Sequence, residues 1–120
     1  MPTRLFHFTC AHAAPRIVHD GVVIPYPQPM LGGVALSWWT TSSRPEAVAL
    51  GLAGRSLVKC DRMEFRFRAD VDDVVPWTLA RVDFPAGAVH RLEAARGARP
   101  SLWFVATEPV RVDPAPMARL

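Results

Sequence analysis

The chain is built from short apolar runs of about strand length, punctuated by proline, glycine and charged residues. Leu5-Phe6-His7-Phe8-Thr9 alternates so that Leu5, His7 and Thr9 share one face of a strand and Phe6 and Phe8 the other. Val34-Ala35-Leu36-Ser37-Trp38-Trp39-Thr40-Thr41 is a second strand that also ends in hydroxyl residues. Met63-Glu64-Phe65-Arg66-Phe67-Arg68 alternates most cleanly of all and predicts a third. Leu102 to Ala106 and Val110 to Val112 predict late strands, separated by Thr107-Glu108-Pro109.

Between these runs the pattern changes. Ala11 to Asp20 reads as a short helix with Ala13 and Ile17 on its apolar side, stopped by Gly21. Val22 to Ile24 predicts a short strand. Pro25-Tyr26-Pro27-Gln28-Pro29 predicts an extended segment, because alternating prolines can join neither a helix nor a central strand. Gly32-Gly33 releases the chain into the second main strand. Ser43, Pro45 and Glu46 give a capped start to a helix over Glu46 to Leu52, ending near Gly54. Asp70, Asp72 and Asp73 predict a polar loop, and Ala88 to Arg96 a helical turn or two closed by Gly97.

Few of these segments are long enough to be helical crossovers, which argues against a doubly wound parallel sheet. The expected architecture is α+β. It has mixed, mostly antiparallel strands in two small packed sheets with two or three short helices. At 120 residues the chain fits one domain, and residues 1–120 are read as such.

Composition narrows the function classes. Half of the residues are apolar, enough for a core, yet no apolar run approaches the about 18 residues of a membrane span. The start, Met1-Pro2-Thr3-Arg4, runs straight into a strand and is not a signal peptide, so a cytoplasmic location is the default. The net charge is +3, and of the 14 basic residues only Lys59 is a lysine. The arginines are scattered, so charge alone does not define a nucleic-acid surface. Arg66 and Arg68 share a strand face as a solvated pair or as a fork for phosphate oxygens.

Cys10 and Cys60 form no CxxC pair and are expected as free thiols. No metal site is expected. His12 and His19 lack the i, i+4 spacing of a helical zinc pair. The Asp70 to Asp73 stretch lacks the glycine and terminal glutamate of a calcium loop.

The order His7-Phe8-Thr9, a short helix ending at Asp20-Gly21, Val22-Val23-Ile24-Pro25, then Trp38-Trp39-Thr40-Thr41 before a capped helix resembles the ADP-ribosyltransferase superfamily. There the first strand carries a His-x-Thr or His-x-Ser element, and the second an aromatic residue followed by Thr or Ser and a helix. The small rifamycin-modifying members are similar in size and have a late segment similar to Glu108-Pro109-Val110-Arg111-Val112. DNA-modifying toxins and tRNA 2′-phosphotransferases share the fold. The last activity needs several basic groups around a phosphate, and the single lysine and the surroundings of His7 do not supply them.

The resemblance implies a transferase that uses NAD as substrate. It would break the nicotinamide–ribose bond and pass ADP-ribose to an acceptor that is a protein, a nucleic acid or a small molecule. His7 would hydrogen-bond the adenosine-side ribose and, with Glu108, carry catalysis. Phe8 and Thr9 would contact nicotinamide or ribose. Trp38 stands where the family has a tyrosine, and Trp39 and Thr40 complete the strand end. Glu108, just before a late strand, is the first choice for the catalytic carboxylate, with Asp72 and Asp73 as second choices. The replaced tyrosine leaves an alternative open: an inactive protein of the same fold that binds a protein or nucleic-acid partner.

Each of these residues also has a plainer reading. His7 can be a strand histidine satisfied by backbone, Trp38 and Trp39 point to opposite faces so that at least one is core, and Glu108 can be a surface loop residue.

Overall fold

The strand that carries His7 organises the fold. In the computed structural model, which describes residues 3–9, 13–41, 65–71, 74–94 and 98–119, β1 (Thr3–Thr9) pairs antiparallel with β5 (Phe65–Val71) along its whole length. The register runs from Thr3 opposite Val71 to Thr9 opposite Phe65. On its other side β1 meets β4 (Val34–Thr40), where among the described residues Phe6 stands opposite Thr40. Among the described residues the two strands that end in hydroxyl residues therefore share one register pair and part toward Thr9.

The remaining strands extend this arrangement outward. β4 continues to β7 (Trp103–Ala106) and β6 (Val75–Pro76), and β5 continues to β9 (Asp113–Arg119). The order is β6-β7-β4-β1-β5-β9, and β3 (Tyr26–Gln28) pairs with the first half of β4. A second sheet pairs β2 (Val22–Val23) with β8 (Val110–Arg111). All of these pairings are antiparallel. The described residues add three short helices, α1 (Ala14–Asp20), α2 (Trp77–Ala80) and α3 (Ala86–Glu93), and the chain is a small α+β fold, as its pattern predicts.

Local chemistry explains the element ends. α1 closes on Gly21, which takes φ 70° and donates its N–H to the Ile17 carbonyl at 2.8 Å, the left-handed cap that a glycine adopts without a Cβ penalty. Gly32 and Gly33, at φ 76° and 85°, make the turn between β3 and β4. Pro27 lacks an N–H, and β3 carries it by pairing along a single register with β4.

The pleat sorts side chains into two apolar layers. Leu5, Trp39, Phe67 and Ala69 bury against Ala14 and Ile17 of α1. Leu36, Trp103 and Val105 bury against Trp77, Ala88 and Val89 of α2 and α3. Neighbouring strand residues go to opposite layers, as period-2 geometry requires.

Several expectations are revised. Asp70 lies within β5 and not in a loop, facing Arg4 across the sheet at 3.4 Å. Leu102 belongs to a 3-10 turn over Pro100–Leu102, where Pro100 sets the backbone before the strand begins. The third helix starts at Ala86, with Pro85 in extended backbone at the N-cap just before it. β9 and α2 arise where the sequence pattern marks no element. The helix over 46–52 with its Ser43 cap, and Cys10, His12, Cys60, Met63, Glu64, Asp72, Asp73 and Gly97, lie outside the described residues.

Candidate functional site

Where β1 and β4 part, they leave a cleft of about 920 Å³, at the upper end of the range for small-molecule sites. β1 supplies Phe6, His7, Phe8 and Thr9, and β4 supplies Ser37, Trp38, Trp39 and Thr40. α1 closes one side with Arg16, Ile17 and Asp20, and the stretch from Val22 to Pro29 closes another. The cleft opens between strands and not on one sheet face. Both tryptophans therefore reach its wall although the pleat sends them to opposite layers.

His7 is fixed by its surroundings. Its ring lies 5.2 Å from that of Trp39, centroid to centroid, and Phe67, fully buried, stands opposite it on β5. Nδ1–H donates to the Trp38 carbonyl at 2.8 Å. Burial lowers its pKa below the ordinary histidine value, and the bond to Trp38 opposes that shift without cancelling it. The ring is therefore held neutral, with the proton on Nδ1 and the lone pair on Nε2, because a carbonyl only accepts. Nε2 is an acceptor for a ligand hydroxyl or amine.

A second side chain does the same from β3. Gln28 donates Nε2–H to the carbonyls of Tyr26 at 2.8 Å and Leu36 at 3.3 Å. Carbonyls two residues apart on a strand point the same way, so Leu36 and Trp38 offer theirs along one edge of β4. At Trp38, where β1 has parted from that edge, His7 satisfies the carbonyl in place of a strand backbone, and Gln28 adds a side-chain donor to Leu36, which β3 faces in register at Tyr26.

Other wall residues are mainly structural. Trp39 is buried and donates Nε1–H to Ser37 Oγ at 2.8 Å. Trp38 packs at 5.1 Å from Trp77 and edge-on to Trp103 at 5.8 Å. Thr9 and Thr40 are buried polar residues. Phe6 carries the Arg66 guanidinium 5.2 Å above its ring, and Arg68 reaches Asp113 at 3.5 Å. Ile24, Pro25, Tyr26 and Pro27 form an apolar rim in which Tyr26 is 76% exposed.

The predicted residues divide cleanly. His7, Phe8, Thr9, Trp38, Trp39 and Thr40 come together on one cleft, and Glu108 does not line it. Glu108 sits exposed in the bend between β7 and β8. Asp72 and Asp73 lie outside the described residues. Among the described residues the carboxylate on the wall is Asp20, 3.8 Å from Arg16 Nε and 2.9 Å from His19 Nδ1.

Sequence reasoning missed Asp20 and Gln28. Asp20 was visible as the last helical residue before Gly21, on a helix tied to the His7 strand. Gln28 was visible as a lone amide in a proline-rich run. In both cases the signal marks the residue but not the cavity it faces. Among the described residues no group of three or more His, Cys, Asp or Glu side chains is placed to hold a metal ion. No helix among them is long and apolar enough to cross a membrane.

No family model, no curated protein and no solved structure matches this chain.

Proposed function

We propose that the cleft between β1 and β4 binds NAD and that the chain is an ADP-ribosyltransferase-like protein. The observation that supports this reading most is the meeting of His7-Phe8-Thr9 and Trp38-Trp39-Thr40 on one wall. His7 accepts a hydrogen bond from a ribose hydroxyl through Nε2, its Nδ1–H being engaged by Trp38. The aromatic wall takes the planar nicotinamide.

In the reaction the bond between ribose C1′ and the nicotinamide nitrogen breaks, and nicotinamide leaves with the electron pair. A nucleophile on the acceptor forms the new bond to C1′ and gives up its proton. Positive charge builds on the sugar ring in the transition state, which a nearby carboxylate stabilises. Asp20 is the described wall residue of that type. The acceptor is left open among a protein, a nucleic acid and a small molecule.

The position of Glu108 away from the wall favours a second reading, in which the same cleft binds a ligand or partner without turnover. Calorimetry with NAD, paired with an assay of released nicotinamide, separates the two. Binding with release supports a transferase or hydrolase, and binding without release supports the second reading. His7→Ala is expected to weaken NAD binding by about tenfold, the worth of one hydrogen bond to a half-buried group. If the wild-type protein does not bind NAD, the transferase reading fails and the cleft is left to a partner other than NAD.

A further inference from the structure

We infer that Gln28 is a specificity-determining residue of the cleft, selecting an uncharged hydrogen-bond donor on the ligand and rejecting an anionic group there; the inference rests on the NAD reading. The Gln28 amide is oriented by its two backbone neighbours. Nε2 lies 2.8 Å from the Tyr26 carbonyl and 3.3 Å from the Leu36 carbonyl. Both are pure acceptors, so the reversed amide would set oxygen against oxygen at both contacts. The two N–H groups are thereby engaged by backbone, and Oε1 is the polar atom that Gln28 has left for the cleft it lines.

His7 repeats the arrangement through Trp38. The β4 edge at Leu36 and Trp38 therefore carries two side chains with their donors turned to its carbonyls and their acceptors available. An acceptor facing a phosphate or carboxylate oxygen is repulsive and desolvated, whereas facing a hydroxyl or amine it forms a hydrogen bond. In a dinucleotide the groups that meet this demand are the 2′-hydroxyl of the adenosine ribose and the amine of the nicotinamide carboxamide. Each has an anionic counterpart: NADP carries a 2′-phosphate, and nicotinic acid adenine dinucleotide carries a carboxylate in place of the carboxamide.

The test is calorimetric binding of NAD and these two analogues to wild-type protein and to the variants Gln28→Leu and Gln28→Lys. Wild type is expected to bind NAD about tenfold or more tightly than one of the analogues, and the rejected analogue identifies which donor Gln28 meets. Gln28→Leu removes the acceptor and narrows that ratio. Gln28→Lys keeps N–H donors toward the carbonyls and adds a cation, so the ratio collapses or reverses in favour of the anionic analogue. A purely structural role for Gln28 would lower stability without inverting a preference. Equal wild-type affinity for all three ligands, or an unchanged ratio in both variants, overturns the inference while leaving the NAD reading standing. Failure of wild type to bind any of the three overturns the NAD reading and this inference with it.

Discussion

His7 Nδ1 lies 2.8 Å from the carbonyl oxygen of Trp38, on a strand that β1 otherwise meets through Phe6 and Thr40. A side chain thus replaces a ladder hydrogen bond at the point where the sheet opens. The contact sets the tautomer of His7, and burial between Trp39 and Phe67 sets its charge. The same interaction that closes one end of the β4 edge therefore prepares an acceptor in the cleft.

This arrangement makes stability depend on pH with a definite sign. The folded-state pKa of His7 is lowered, burial being the larger cause. As pH falls below about 6.5, the unfolded chain takes up this proton before the folded chain does. The contribution of His7 is complete above that value and is lost progressively as pH falls toward the lowered folded pKa. Urea unfolding of wild type and His7→Gln from pH 7.5 down to pH 5 should show the wild type losing stability more steeply. Parallel pH profiles would remove the neutral, half-buried imidazole from the account. NAD affinity should hold while the folded imidazole stays neutral and decline only as pH falls through its lowered pKa, because protonation turns Nε2 from an acceptor into a donor.

Ser37 and Trp39 form a second buried polar pair, each 3% exposed, with Nε1–H donating to Oγ at 2.8 Å. Ser37→Ala leaves a buried indole N–H without its acceptor and is expected to cost about 1–3 kcal/mol. Trp39→Phe in the Ser37→Ala background removes that orphaned donor. The two substitutions together should therefore cost less than the sum of their separate effects. Chemical denaturation of the four proteins in the cycle measures the coupling, and strict additivity would contradict it.

How much of this was legible in the sequence follows from the range of each determinant. β1 and β5 were readable because alternation is written residue by residue, β4 and β7 because each is an apolar run of strand length, and the cap at Gly21 because a glycine after an apolar helix is a local signal. β9 was not readable: Asp113-Pro114-Ala115-Pro116 argues against a strand, and the chain is accommodated because β9 ends the strand order and pairs with β5 through an irregular register. α2 spans four residues, too short to show a helical period, and forms because Trp77 is wholly buried against Trp38 and Trp103. The gathering of His7 with Trp38 and Trp39 followed from strand order. The side chain of Gln28 on the β4 edge, the place of Asp20 on the wall and the exposure of Glu108 depend on how far β1 and β4 separate, which no local pattern encodes.

Gly21 joins two parts of the structure. At φ 70° it caps α1, and its carbonyl accepts the Val112 N–H at 3.0 Å beside the β2–β8 sheet. A Cβ added there meets nothing within 4 Å, so Gly21→Ala carries a conformational cost without a clash. The expected loss is about 1 kcal/mol. Gly87, within α3 and equally uncrowded, is the control: Gly87→Ala should stabilise by about 0.5–1 kcal/mol. Opposite shifts in the urea midpoint are the expected result, and destabilisation of similar size at both positions would contradict it.

Trp77 carries the packing on the far side of Trp38. Its side chain is wholly buried, its ring stacks on Phe84 at 5.7 Å, and Nε1–H donates to Glu93 Oε2 at 2.8 Å. Glu93 Oε1 receives Arg81 at 3.0 Å, so one carboxylate ties α3 to α2 and to the turn after it. Trp77→Ala is expected to cost about 3–5 kcal/mol from lost burial and an unfilled cavity. Arg81→Ala should cost less than about 1 kcal/mol, because that pair is open to solvent. Trp38 leans on Trp77 at 5.1 Å and also lines the cleft, so the milder Trp77→Phe should transmit a change to the site. Near-ultraviolet circular dichroism and NAD calorimetry on Trp77→Phe test this together. The expected result is an altered tryptophan signal with weakened NAD binding in a protein that still unfolds cooperatively. An altered tryptophan signal with unchanged NAD affinity would show that the far-side packing does not position Trp38 for the ligand.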